Sequence, residues 1–184
     1  MSLTSKEAAE SLAQAEQARR RSAELYHYSR AAPHFMLWGA IQVVGYCGTY
    51  LYPQYSSWLW AVLILAGGGG GAIIGQRCSD KEARPQAWRR FGVMMIAVMF
   101  VFGTYTIMQP VHGPQLAVYP VLLMGAVYCA IGLWVGLRYI VTGVVAFTAA
   151  LVGYFTIHDS TILLLMAGVG GGSMILAGFW FRKV

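Results

Sequence analysis

From Gln115 to Ile157 the chain carries one charged residue, Arg138. No soluble domain can hide a stretch this long and this apolar. As a single helix it would measure roughly 60 Å at about 1.5 Å per residue, twice the hydrocarbon core of a bilayer. It is therefore expected to fold back on itself in a tight turn near Gly136, giving two antiparallel spans. Helices and closed barrels alone satisfy their backbone groups in lipid, and runs this continuous are helical.

The same length rule divides the rest of the chain. Six spans are expected, at about 34–52, 57–76, 91–109, 115–137, 139–157 and 161–181. The fold class is all-α: a six-helix transmembrane bundle (residues 34–184) preceded by an amino-terminal cytoplasmic amphipathic helix (residues 1–33). Composition agrees, with 58% hydrophobic and 11% charged residues. A soluble domain is about a quarter charged. No apolar segment ahead of a small-residue cleavage site is visible in the first thirty residues.

Charge sets the expected orientation. With the amino terminus inside, the inner segments hold every Lys and Arg of the chain, from Lys6 and Arg19-Arg20-Arg21 through Arg138 to Arg182 and Lys183. The outer loops 53–56, 110–114 and 158–160 hold none. Positive charge stays on the cytoplasmic side, so both termini are expected there. The net charge of +6 is a topology signal, and nucleic acid is not expected as a partner. Asparagine is absent and Ala and Gly abound, which suits a bacterial gene and a bacterial inner (plasma) membrane.

Residues 4–30 are expected to form a helix outside the bilayer core. Thr4 and Glu7 fit a capping box, and a weak stripe runs Ala8, Leu12, Ala15, Ala18, Ser22, Leu25, Ser29. Pro33 is expected at the start of the first span, with a bend at Ala32. This helix is the candidate surface for a cytoplasmic protein partner or a second copy, beside the lipid bilayer itself.

Glycine runs mark spans two and six: Gly67 to Gly71, and Gly168 with Gly170 to Gly172. No GxxxxGK[ST] accompanies them, so they are not a phosphate loop. Small residues at i and i+4 allow close helix approach. Gly67/Gly71, Gly71/Gly75 and Gly168/Gly172 have that spacing, which suggests spans two and six as a paired core. The alternative is a ligand or solute path beside Gly69, Gly70, Gly170 and Gly171, with Gln42 and Tyr105 as further lining. Thr49, Thr104, Thr142 and Thr148 could line it too, or hydrogen-bond to neighbouring helices.

Catalytic signatures are missing. There is no nucleophile–base pair, no HExxH and no loop long enough for a catalytic domain. No Asp, Glu, Lys or Arg lies deep in a span, which disfavours ion-coupled transport. On the outer side, Asp159 could serve an aromatic cation site, and His112 and His158 are weak metal candidates without a ligand motif. Met94, Met95 and Met99 read as packing residues. No cofactor and no metal are expected. The three cysteines, Cys47, Cys78 and Cys129, form no disulfide framework.

Tyr26, Tyr28, Ser29, Pro33 and Phe35-Met36-Leu37-Trp38-Gly39, following a long Ala/Glu/Arg helix, resemble a group of uncharacterised small bacterial multi-pass inner-membrane proteins. Members of that group often sit beside genes for winged-helix-type regulators. The resemblance implies no activity and no site residues. It favours an accessory or sensory role over a facilitator or channel for a small solute, the second class considered.

Overall fold

The computed structural model describes residues 5–77, 99–100, 102–107 and 113–183. The protein is all-helical, with no strand among these residues. Helix α1 runs Ser5–Leu51. A short 3-10 turn at Pro53–Tyr55 leads into α2, Ser56–Arg77. Helix α3 spans Gly113–Val135, α4 Leu137–Thr156 and α5 Ile162–Arg182. Residues 99–100 and 102–107 are also helical.

Four of these helices are long and apolar enough to cross a membrane: Pro53–Gln76, Gly113–Val135, Leu137–Thr156 and Ile162–Arg182. The first expected span is the second half of α1. Most of the third lies outside the described residues.

Helices α3 and α4 form a hairpin joined by one residue, Gly136. Its φ of 144° is open only to glycine. Along the hairpin the two backbones touch. A Cβ on Gly125 would lie 2.9 Å from Gly143 O, and one on Gly132 would lie 2.7 Å from Ile140 N. In lipid there is no hydrophobic gain between helices, so such close packing is what holds them together.

Helix α1 is the hub. It packs on α5 along most of its second half and on α2 along another face. The expected pairing of spans two and six is replaced by this arrangement: α2 and α5 each pack chiefly on α1. Their glycines serve different purposes. On α2, Gly67 and Gly70 receive the side chains of Trp38, Ile41 and Leu37. On α5, Gly171 meets the α1 backbone itself at Gly39.

Ala32 and Pro33 do not interrupt the helix, where an extended residue ahead of the first span was the expectation. Helix α1 continues through Pro33. Proline removes one i→i−4 hydrogen bond and usually kinks a helix. Here the flanking turn is gripped on one side. Ala32 is 1% exposed and Phe35 5%, and a Cβ on Gly178 of α5 would lie 3.0 Å from Ala32 O. Packing against α5 holds the proline turn in the helix.

Two clusters fill the interior. One joins Tyr46 of α1 with Val118 and Val121 of α3, Ala146 and Ala150 of α4, and Ile162 and Met166 of α5. The other, at the Gly136 end, joins Tyr28 and Phe35 of α1 with Tyr139 of α4 and Met174 and Phe181 of α5. Tyr28, Tyr139 and Phe181 have ring centroids 4.9–5.9 Å apart.

Candidate functional site

Helix α5 does not keep one winding. Residues Ala167–Gly172 form a π-helical turn, and α-helix resumes at Ser173. Four of the six residues are glycine, so only Ala167 and Val169 carry side chains into the wider winding. Inserting a π turn shifts the register of the helix faces by about one residue. This explains why the expected Gly168/Gly172 pair is not the contact pair. Nothing lies within 4 Å of a Cβ on Gly168, whereas Gly170 and Gly171 are buried against α1. Single-turn π segments inside α-helices are frequent at functional sites.

Gln42 of α1 lies opposite this turn. A Cβ on Gly170 would lie 2.4 Å from Gln42 Oε1, so glycine is what leaves room for the amide. Gln42 Nε2 donates to Met124 Sδ of α3 at 3.2 Å and to Met174 Sδ of α5 at 3.5 Å. Tyr128 O–H also points to Met174 Sδ, at 3.8 Å. Gln42 Oε1 is buried and has no hydrogen-bond partner. A buried amide oxygen left so costs about 1–3 kcal/mol.

The other expected residues are spread through the fold. Gly69 is exposed with nothing within 4 Å, and Gly70 packs on Leu37. Tyr105 stands against α3: its ring centroid is 5.5 Å from that of Tyr119, and its O–H donates to Leu116 O at 3.3 Å. Pro120 inside α3 has no N–H for the carbonyl four residues back. That carbonyl belongs to Leu116, so Tyr105 supplies the missing donor. Thr49, Thr104 and Thr142 each bond to the carbonyl four residues back in their own helix, at 2.8 Å. Thr49 Oγ1 also accepts from the Trp60 Nε1–H of α2 at 3.1 Å, an expected bond between neighbouring helices.

At the opposite end from Gly136, Asp159 is fully exposed and stabilises the turn into α5. Its Oδ1 accepts from Thr161 N–H at 3.0 Å and from the Thr161 hydroxyl. The hydroxyl bond, then the backbone bond, hold its carboxyl below the usual value. His158 borders a shallow cavity of about 310 Å³ lined with Pro114, Gln115, Tyr154, Phe155 and Ile157. Gln115 Nε2 donates to Tyr154 Oη there at 3.3 Å. His112 lies outside the described residues. Among the described residues no three His, Cys, Asp or Glu side chains come together as metal ligands.

One constellation was not anticipated from sequence. Arg138 opens α4 and ties three helices at the Gly136 end. Its Nη1 donates to Trp180 O at 2.8 Å, satisfying one of the last carbonyls of α5. Its backbone N–H, in the first turn of α4, donates to Tyr28 Oη at 3.3 Å. Tyr28 in turn donates to Glu24 Oε1 at 2.8 Å. The guanidinium lies 5.1 Å from the ring centroids of both Tyr28 and Trp180. Each such cation–π contact contributes about 0.5–1 kcal/mol at exposed sites. The sequence signal is a lone Arg in a 43-residue apolar stretch, which by itself marks a turn and a topology and no partners.

Fold and sites thus define an all-helical protein with several helices suited to a membrane. No family model, no curated protein and no solved structure matches the chain.

Proposed function

We propose that this protein is a non-enzymatic sensor or accessory subunit of a bacterial inner membrane. It spans the bilayer six times, with both termini in the cytoplasm, and docks a cytoplasmic protein through the amino-terminal part of α1. The observation that carries this reading is the continuity of α1. One unbroken helix holds both an exposed amino-terminal arm and the segment that packs on α2 and α5.

Residues 9–23 are exposed throughout, and Leu12 is 72% exposed. Isolated helices of this length are marginal in water because nucleation is costly. Here the nucleus already exists in the packed half of α1, and the Arg20–Glu16 pair at 2.9 Å adds a little. The arm reaches roughly 35 Å beyond Tyr28 at about 1.5 Å per residue. Arg138 and the Gly136 turn grip α1 at Tyr28, between arm and bundle. A displacement of α1 against α5 is therefore carried to the arm instead of being absorbed in a hinge.

The orientation rests on the distribution of Lys and Arg over the expected inner segments. The six-span count rests on the hydropathy of residues 34–52 and 91–109 together with the four long apolar helices. A path for a solute beside the α5 glycines finds less support. Gly171 is in contact with the α1 backbone and Gly170 with Gln42 and Val121.

The test is gentle extraction of the tagged protein from its own membrane, followed by native mass spectrometry. The expected result is a stoichiometric second protein that is lost on deleting residues 1–22, with the bundle's melting temperature retained. A full-length protein that always emerges alone, or one whose partner survives the deletion, would overturn the docking reading.

A further inference from the structure

We propose that Gln42, Met124 and Met174 form a binding site for a soft monovalent metal cation, copper(I) in chemistry, inside the helix bundle. This goes beyond the docking reading and does not depend on it.

Three facts converge on one point. First, two thioether sulfurs from different helices flank the same amide nitrogen, at 3.2 and 3.5 Å. Thioethers are weak acceptors, and an amide N–H₂ placed between two of them gains little. Second, the other half of that amide, Oε1, is buried without any donor. A native protein seldom leaves such an atom unpaired, and an absent ion is one of the few explanations. Third, the glycine-rich π turn of α5 is what makes room for this amide, since any side chain at position 170 would collide with Oε1.

Nε2 and Oε1 exchange places on a half-turn about the last side-chain bond. Oε1 then faces the two sulfurs, so that three acceptors surround one point. Without a cation that arrangement is repulsive; around a cation it is a ligand set. Oε1 would then take the place the amide nitrogen holds here, 3.2 and 3.5 Å from the two sulfurs, and the cation would lie between the three.

The donor set names the cation. Two thioethers and one neutral oxygen suit copper(I) and disfavour magnesium, calcium and manganese, which need several oxygens. The ligands carry no charge and the surroundings are apolar, which favours a single positive charge over two. Gln42 and Met124 are only half-buried, so the site is not sealed. Tyr128, whose O–H points to Met174 Sδ, would orient that sulfur.

The test uses the full chain with Cys47, Cys78 and Cys129 changed to Ser, so that thiols cannot compete. Copper(I), held reduced, is titrated against a chromogenic copper(I) chelator, with silver(I) as a second probe. One metal per chain is expected. Met124→Leu and Met174→Leu should each weaken binding by at least about tenfold while leaving helicity and melting temperature close to the parent. Gln42→Met, which supplies a third thioether, should keep binding, whereas Gln42→Leu should weaken it. X-ray absorption should show sulfur in the metal's shell. Absence of binding, or binding indifferent to both Met→Leu changes, would overturn the proposal and leave the cluster as packing with a buried water on Oε1.

Discussion

Gly39 of α1 and Gly171 of α5 meet backbone to backbone. A Cβ on Gly39 would lie 2.7 Å from Gly171 O, and a Cβ on Gly171 2.6 Å from Gly39 O. Neither obstacle is a side chain that could swing away, so the helices themselves would have to part. Gly171→Val is expected to destabilise the bundle by about 1–3 kcal/mol, the usual range for overpacking. Gly68→Ala, where an added Cβ would meet nothing within 4 Å, should be neutral or stabilise the helix by up to about 1 kcal/mol. Thermal unfolding of the two variants in detergent checks the contrast.

Tyr105 acts through its hydroxyl on the carbonyl that Pro120 leaves without a partner. Tyr105→Phe keeps the ring against Tyr119 and removes only that donor. The expected loss is about 0.5–1.5 kcal/mol, because the bond is exposed. In the background of Pro120→Ala, where the helix can supply its own N–H, the same change should cost much less. A double-mutant cycle on melting temperature measures this coupling.

Gly136 has no substitute. Its backbone lies where other residues are strained, and a Cβ there would come within 2.2 Å of both Glu24 Oε1 and Tyr28 Oη. Gly136→Ala is expected to cost about 1–3 kcal/mol from strain alone. It should also loosen the amino-terminal arm, because Tyr28 and Glu24 must move. Hydrogen exchange over residues 24–32 should rise in this variant more than exchange in α2.

Asp159 gives a pH signature. Its folded pKa is depressed by the two bonds from Thr161. The stabilisation from those bonds is therefore present above the ordinary carboxylate value and is lost as pH falls through the depressed one. Carbon-13 NMR of labelled Asp should place its titration below 3.8, the ordinary value. Thr161→Val, which removes the hydroxyl donor, should move it back up. A titration unmoved by that change would show that the hydroxyl bond does not matter.

Helical character, the fold-back near Gly136 and the long apolar helices were legible because each rests on a rule of length or hydropathy. What escaped depends on who packs against whom. Five consecutive glycines on α2 and the glycines of α5 look alike in sequence, yet one set accepts Trp38 and Ile41 while the other admits a backbone. The π turn shifts the contact face from Gly168/Gly172 to Gly170 and Gly171, which no search at fixed helical spacing would reveal. Pro33 signalled a break, and packing of Ala32 against Gly178 overrode it. Polarity alone marks Gln42 in the sequence. Its two methionine neighbours sit 82 and 132 residues away, and no local pattern links them.

The partnership of α1 with α5 has a consequence for the order in which the protein can be built. Synthesis delivers α1 before α5, and the α3–α4 hairpin can close before α5 exists. Until α5 is inserted, the groove at Gly39 has no backbone to receive it, and the Tyr28 ring lacks Phe181. A chain that stalls after α4 thus leaves the Gly39 and Tyr28 surfaces of α1 uncovered.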